Sequence, residues 1–421
     1  MIRLGLSPVI DVIYTEPVAR LLDIHGGNME FGFTPEQEKL KQEVRDFLKR
    51  ELTPEVTAGM LEYGKGTGPA GTPGREFQKK LGAKGWLCPT WPREYGGLNS
   101  SQMVGFIIGD ELVYGGAPHA FIGALIAGPT ILRFGSDEMK NEFLPRIARG
   151  EIEFSMGYTE PQAGSDLAAL EMRAEDKGDY FILNGQKTFN THVHFADYHW
   201  LAVRTETDPN VKKHRGISLM VVDLKSPGIT LRRMTTIAGD RTNEVFYDNV
   251  EVPKKNLVGE KNRGFYYVMS AIDLERVYIF GEYRRLFDEL LKYTKETRRD
   301  GKYLNEDPII RQKLAELAIE IEAVYLLYYQ LAYLLDKGES ISYQVSIQKT
   351  FATETAYRLA DFATQIIGPL GQLQKDSKWA ALNGEAEFRY RCSLIETIYM
   401  GTSEIQRNII ALRGLGLPTG R

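Results

Sequence analysis

Cysteine and metal-binding patterns are nearly absent from this sequence. It has two cysteines, Cys88 and Cys392, among 421 residues, and its six histidines show no H-E-x-x-H spacing. Two cysteines cannot form a disulfide framework or a cysteine-ligated zinc site. The composition therefore predicts a reduced, cytoplasmic protein without a bound metal.

Strong charge and long apolar runs are also missing. Lysine and arginine number 52 and aspartate and glutamate 56, for a net charge of −4 without any basic run. Binding to a nucleic-acid backbone is therefore not expected. The most apolar stretch, Ala117 to Leu132, contains His119 and Pro129 and is too short and interrupted for stable membrane insertion. What remains is a multidomain chain whose composition favours an enzyme.

Two common nucleotide-binding devices are absent as well. No G-x-G-x-x-G follows a strand pattern, and no G-x-x-x-x-G-K-[ST] occurs. A nucleotide would therefore not be held by a Rossmann crevice or a P-loop.

A clear helix start stands just after a second methionine, Met29. Thr34 suits the N-cap, Pro35 the first helical position, and Gln37 completes a capping box. Residues 1–28 precede this start, and we expect an extension or a mis-assigned start codon there rather than a targeting segment.

The order of local patterns predicts an α+β fold with three domains. Residues 29–153 have helical spacing, residues 154–257 have short strand runs, and residues 258–421 return to helical spacing. Within the strands, Tyr180–Gly185 ends in Asn-Gly, which predicts a hairpin turn. Ile310–Leu335 carries one apolar seam, which indicates a long helix in a bundle core.

A loop at the junction of the first two regions carries polar groups suited to a ligand. Its sequence is Tyr158-Thr-Glu-Pro-Gln-Ala-Gly-Ser-Asp166. Pro161 and Gly164 favour a tight loop, and Thr159, Ser165 and the backbone N–H groups suit a planar polar ring or a phosphate. Taken alone, the same residues also fit an ordinary capped turn.

Two further motifs favour the ligand-binding interpretation of the loop. Asn184-Gly-Gln-Lys187 follows it, and Gly401-Thr-Ser-Glu-Ile-Gln-Arg407 stands near the end of the chain. In this order the three motifs resemble those of the acyl-CoA dehydrogenase family of flavoproteins. The resemblance runs from about Phe33 to Leu415 and also includes Gly85-Trp86, Trp91–Gly97 and Phe246–Pro253.

The resemblance implies both a fold and a reaction. The fold is an N-terminal helical domain, a central β-domain of antiparallel strands and a C-terminal four-helix bundle. FAD lies between the domains of a tetramer, which is a homotetramer in most such enzymes, with a heterotetramer left open. The reaction is α,β-dehydrogenation of an acyl-CoA, and the electrons pass to an electron-transfer flavoprotein.

The position of the catalytic base departs from the commoner family pattern. Many members carry a glutamate just before the Gly-Thr of the last motif, where this sequence has Met400. A minority branch, of isovaleryl and long-chain type, places it on another helix, at the position of Glu275. We therefore predict Glu275 as the base, while a solvated surface glutamate and a non-catalytic subunit stay open as alternatives. Met400 would still offer its backbone N–H to the thioester carbonyl.

The resemblance also assigns binding residues. Phe189 stands where a tryptophan usually covers the flavin, and Thr191 matches a threonine that bonds it. Substrate positions are Ser165, Asp273, Arg276, Met400 and Gly401. Cofactor positions are Met156, Tyr158, Thr159, Gly164, Ser165, Phe189, Thr191, Thr402 and Glu404, with Gln365 and Gly368 directed at a neighbouring subunit's FAD.

One cofactor motif is altered. Where the family has an arginine and Phe-Gly to grip the FAD pyrophosphate, this sequence reads Thr297-Arg-Arg-Asp-Gly-Lys302. Arg298 or Arg299 would supply the cation from a shifted register. The alternative is a solvated charge run at a helix end, which leaves open whether every site in the tetramer binds FAD.

The sequence thus predicts an FAD-dependent acyl-CoA dehydrogenase. The base at Glu275 favours a branched, cyclic, aromatic or long acyl group. Two competing hypotheses are a partner subunit that supports FAD binding without chemistry and a flavin oxidase or monooxygenase on the same fold.

Overall fold

The computed structural model of the chain describes residues 32–419, with the side chains of residues 272–275 outside that description. The expected extension over residues 1–28 also lies outside the described residues. The predicted capping box is present: the Thr34 N–H donates to Gln37 Oε1 at 2.9 Å, and the Gln37 N–H donates to Thr34 Oγ1 at 3.3 Å. The first region is helical, with α1 Pro35–Glu51, α2 Pro54–Thr57, α3 Pro73–Ala83, α4 Gln102–Gly115, α5 Gly128–Phe134 and α6 Asp137–Ala148.

The middle region forms one seven-stranded sheet. The strands are β1 Phe154–Gly157, β2 Arg173–Asp176, β3 Tyr180–Lys187, β4 Tyr198–Arg204, β5 Ile217–Asp223, β6 Ile229–Thr235 and β7 Arg241–Pro253. Their spatial order is β1-β4-β2-β3-β7-β6, with β5 paired to β4. The pairs are antiparallel as expected, except that β4 runs parallel to β1 and β2.

The central strands are buried on both faces. On β4, Trp200 and Ala202 join a core shared with the first helical region. The alternate residues Leu201 and Val203 join a separate core on the other face. This explains why β4 and β5 are almost continuously apolar rather than alternating, and it holds the sheet firmly against the helices.

The predicted hairpin at Asn184-Gly185 is wrong. Strand β3 continues to Lys187, and its pairing with β7 shifts between Leu183 and Gly185, which marks a bulge. The Asn184 side chain accepts the Asn249 N–H at 2.9 Å across it. Gly185 has φ +143°, and a Cβ there would lie 2.8 Å from the Met172 side chain. Asn-Gly serves here as a bulge that approaches a neighbouring strand, and such bulges also favour glycine.

The last region is a helical bundle, as predicted. Of the seam in the long helix, Leu314, Leu317, Ile321, Val324 and Leu331 are buried. The bundle helices are α8 Gly281–Glu296, α9 Pro308–Asp336, α10 Ser342–Ile367 and α11 Glu385–Glu396, flanked by α7 Gly264–Glu275 and α12 Ser403–Ile409. By length and composition alone, α9 could also cross a membrane.

The altered cofactor segment is a small hairpin. Strands β8 Arg298–Arg299 and β9 Lys302–Tyr303 pair through a turn at Asp300 and Gly301, whose φ angles are +52° and +82°. Two consecutive positive φ angles are typical of a tight hairpin turn, which Asp-Gly favours. The segment is therefore a hairpin at the end of the helix Gly281–Glu296, and Arg298 and Arg299 are both exposed in it.

Candidate active site

A buried ion pair joins two of the three motifs. Glu160 follows β1 and Lys187 ends β3, and the Lys187 Nζ donates to Glu160 Oε1 at 2.7 Å and to the Tyr158 carbonyl at 3.1 Å. Glu160 also accepts the Glu171 and Met172 N–H groups at 2.6 and 3.0 Å. Burial would raise the pKa of Glu160, but Lys187 and these N–H groups hold it below its ordinary value. Glu160 therefore stays ionised and fixes the shape of the loop.

Neither Glu160 nor Lys187 was among the predicted site residues. The signal that could have found them is that each lies inside a motif. Two residues of opposite charge can be buried there as a pair, because charged residues are seldom fully buried without a partner. Their side chains are 2% and 0% exposed.

The loop and the segment after β3 form one wall. The Asn190 Nδ2 donates to the Met156 carbonyl at 2.8 Å, and the Thr188 N–H donates to the Thr159 carbonyl at 2.9 Å. Ser155 Oγ donates to the Thr191 carbonyl at 2.6 Å. The structure therefore brings the predicted flavin positions 156–159 and 189–191 together.

This wall fits a flavin. Phe189 is 62% exposed at φ +57°, so its ring is left for another surface to cover. Asn190 Oδ1 is buried and has no hydrogen-bond partner among the described residues. A Cβ built on Gly164 would meet nothing within 4 Å, so the loop opens onto free space. An aromatic face beside backbone and amide groups suits a planar ring with polar edges.

The histidines behind this wall are structural. His192 Nε2 lies 3.0 Å from the Gly64 carbonyl, and burial lowers the pKa values of His192 and His194 to about 4. Both rings are therefore neutral at pH 7.

A second group of predicted residues lies together in the segment that follows α11. Met400 and Gly401 have φ angles of +54° and +86°. The Gln406 Nε2 donates to both of their carbonyls, at 2.9 and 3.2 Å. A Cβ on Gly401 would lie 3.8 Å from Arg276 Nε, so two predicted substrate positions adjoin. Thr402 caps α12 by accepting the Ile405 N–H at 3.3 Å, and Glu404 lies exposed in its first turn.

The predicted base lies at a helix end. Helix α7 ends at Glu275, next to Arg276. The side chains of Asp273 and Glu275 lie outside the described residues, so both roles stay predictions.

The remaining predicted cofactor residues lie in a third place. Arg299 donates to the Ile366 carbonyl, and the Arg298 guanidinium lies 4.2 Å from the centre of the Tyr303 ring. Gln365 is exposed near the end of α10, and Gly368 follows that helix at φ +73°. At 1.5 Å per residue, Gln365 lies about 24 Å along α10 from Lys349, which contacts Gly401. Within one chain, this third group is therefore separate from the wall and from the residues around Met400.

Comparison with known proteins now identifies the family. Residues 34–151, 155–250 and 262–415 match the family models for the acyl-CoA dehydrogenase N-terminal, middle and C-terminal domains. The chain belongs to the acyl-CoA dehydrogenase family. It is an oxidoreductase of a flavoprotein family, with the helical, β and helical architecture that the motifs predicted.

Individual members of the family cover nearly the whole chain. Acyl-CoA dehydrogenase FadE26 of Mycobacterium tuberculosis is 37% identical over 93% of this chain and 99% of its own length. The structure of the ChsE4–ChsE5 complex from the same organism superposes with a TM-score of 0.85 at 36% identity, covering 93% of this chain and 100% of that one. A steroid acyl-CoA dehydrogenase, Tcur3481–Tcur3483, gives 0.85 at 32% identity with the same coverage.

Proposed function

We propose that this acyl-CoA dehydrogenase binds FAD and oxidises a bulky cyclic acyl-CoA to its 2-enoyl-CoA, with Glu275 as the base. The observation that supports it best is the wall of residues 156–159 and 189–191, fastened by the Glu160–Lys187 pair. We also propose the domain boundaries expected above, a cytoplasmic location and an electron-transfer flavoprotein as acceptor.

The chain's own residues have separate tasks in this proposal. Glu275 removes the α-proton of the thioester. The Met400 N–H bonds the thioester carbonyl, where negative charge develops as the proton leaves. FAD, held by the loop at Thr159 and by Thr191 and covered by Phe189, would supply the acceptor for the β-hydride. Ser165, Asp273 and Arg276 line the entry for the acyl-CoA.

The acyl group is inferred from a relative and from the position of the base. A solved relative is named as a steroid enzyme, and Glu275 occupies the position that favours branched, cyclic, aromatic or long acyl groups. A fused-ring acyl-CoA is therefore the first substrate to test.

The assembly is proposed to be a tetramer that includes a second, related chain. Two solved relatives are each named as a pair of chains, which favours a heterotetramer over a homotetramer. Helix α9 presents Ile319, Leu326 and Tyr333 every seventh residue, and each is more than half exposed. An apolar stripe of this kind is typical of a surface that another subunit covers.

Visible spectroscopy tests the reaction. The assembled protein is titrated anaerobically with fused-ring, branched, aromatic and straight-chain acyl-CoAs, as wild type and as Glu275→Gln. We expect bleaching by a cyclic acyl-CoA in the wild type and a rate at least about 100-fold lower in the variant. Oxygen consumption without an added acceptor would indicate an oxidase instead.

A second candidate function is an FAD-supporting subunit without chemistry of its own. The hairpin favours this hypothesis, because Arg298 and Arg299 contact Tyr303 and Ile366 instead of being free to bind the FAD pyrophosphate of this chain's neighbour. The ratio of FAD to chains separates the two hypotheses. Fewer than one FAD per chain, together with bleaching that Glu275→Gln leaves unchanged, would support the subunit hypothesis.

A further inference from the structure

Two adjacent residues in the first third of α10 are polar and fully buried. Gln348 and Lys349 are both 0% exposed, and their side chains are longer than those of the alanines and threonines that are buried after them on this helix. Burying an amide or an ammonium group is unfavourable unless it is hydrogen-bonded. What these two side chains bond therefore indicates why they are there.

Gln348 holds the chain just after the proposed base. Its Oε1 accepts the Tyr278 N–H at 3.0 Å, and its Nε2 donates to the Tyr278 carbonyl at 2.8 Å. Tyr278 lies three residues after Glu275, in the link between α7 and α8. The paired bonds therefore anchor the backbone of this link three residues beyond the end of α7.

Lys349 holds the segment that faces the thioester. Its Nζ donates to the Gly401 carbonyl at 2.9 Å, where Gln406 also donates at 3.2 Å. Met400 and Gly401 have left-handed backbone angles, which are unfavourable for a methionine unless its surroundings hold it. Because the Met400 and Gly401 carbonyls are both held by hydrogen bonds, the backbone that carries the Met400 N–H is restricted as well.

The charges around Lys349 match this role. Glu396 on α11, Glu404 on α12, Glu354 on α10 and Arg276 after α7 all act on it. Burial, offset in part by these carboxylates, lowers the pKa of Lys349 to about 8. The ammonium group is therefore charged at neutral pH and can donate to the carbonyl.

We propose that Gln348 and Lys349 are positioning residues that set the distance between the base on α7 and the carbonyl-binding peptide at Met400. Both side chains extend from one turn of α10, so the base and the carbonyl-binding peptide are positioned relative to the same helix. This inference rests on the proposed function, because it assigns Glu275 and Met400 their tasks. It assigns these two residues their roles through the backbone groups of Tyr278 and Gly401 that they bond.

The test compares Gln348→Met and Lys349→Met, which keep side-chain length and remove the hydrogen bonds. Thr353→Val is the matched control, because Thr353 is equally buried on α10 and bonds only carbonyls of that helix. For each assembled protein, kcat and KM are measured with an acyl-CoA that bleaches the wild type. The stretching frequency of a 13C-labelled thioester carbonyl in the bound state reports its hydrogen bonding independently of turnover.

We expect kcat to fall about 100-fold in both methionine variants, as a misplacement of about 1 Å would cause, with KM changed by less than about 3-fold. In Lys349→Met the carbonyl frequency should return toward its value in water, while Thr353→Val keeps both wild-type values. If a methionine variant does not fold, Gln348→Asn or Lys349→Gln replaces it with the same expectation. Wild-type kcat and carbonyl frequency in folded variants would overturn the inference. A wild type that no acyl-CoA bleaches would overturn the proposed function and this inference with it.

Discussion

The proposed flavin wall is built differently from the distal group, Arg298, Arg299, Gln365 and Gly368, which we predicted to contact a neighbouring subunit's FAD. In the wall, residues 156–160 and 187–191 are tied to each other by a buried ion pair and by backbone hydrogen bonds. In the distal group, Arg298, Arg299 and Gln365 are exposed and lie at the far end of α10. The difference fits our proposal of an assembly in which each chain forms its own flavin wall and contributes its distal group to a neighbouring subunit's FAD.

Breaking the buried ion pair should have the largest effect. Lys187→Met leaves the Glu160 carboxylate buried without a cation, which typically costs about 3–5 kcal/mol. Denaturant unfolding should show this loss together with a loss of bound flavin. Lys79→Met removes an exposed pair with Glu76 and should change stability by less than about 1 kcal/mol. Equal effects of the two variants would contradict the role given to the pair.

The second-largest effect is expected from acid, which should lower the free energy of unfolding through His192, close to the wall. The folded-state pKa of His192 is about 4 and its ordinary value about 6.5, so below pH 6.5 the unfolded chain binds a proton that the folded chain does not. Stability is therefore lost as the pH falls from 6.5 to 4, by about 2 kcal/mol at pH 5. Comparing unfolding at pH 7 and pH 5 for wild type and His192→Gln measures this. The distal group contains no histidine, and an unchanged pH dependence in the variant would contradict the assignment.

Removing the exposed ring should separate cofactor binding from folding. Phe189→Ala deletes a largely exposed side chain, so the unfolding free energy should change by less than about 0.5 kcal/mol. FAD affinity should fall about 10-fold, because a stacked aromatic contact contributes about 0.5–1.5 kcal/mol. Calorimetric titration of the apoprotein with FAD checks this. Unchanged affinity would mean that Phe189 does not cover the flavin.

The smallest effect on the chain itself is expected in the distal group. Arg298→Ala with Arg299→Ala should leave the stability of the chain within about 0.5 kcal/mol of wild type. In the proposed tetramer the same change should lower FAD occupancy, which absorbance and subunit mass would measure. Full occupancy would show that neither arginine supplies the pyrophosphate cation.

The sequence predicted local and motif-level features well. The capping box at Thr34, the seam of α9 and the three-region order are all present. Each of these depends on residues close together in the chain or on a motif shared across the family.

Features that depend on distant partners were missed. Asn184-Gly185 and Asp300-Gly301 carry the same local turn signal, yet only the second forms a hairpin turn. The difference arises because β3 keeps pairing with β7, about 60 residues away. In the same way, Glu160 and Lys187 are charged residues 27 positions apart, and their burial together is a tertiary feature.

The most direct test of the central claim is exchange of the α-proton in D2O. The assembled protein is incubated anaerobically with a fused-ring acyl-CoA, and deuterium at the α-carbon is followed by mass spectrometry. We expect rapid incorporation by the wild type and incorporation at least about 100-fold slower in Glu275→Gln. Exchange at the wild-type rate in that variant would contradict Glu275 as the base.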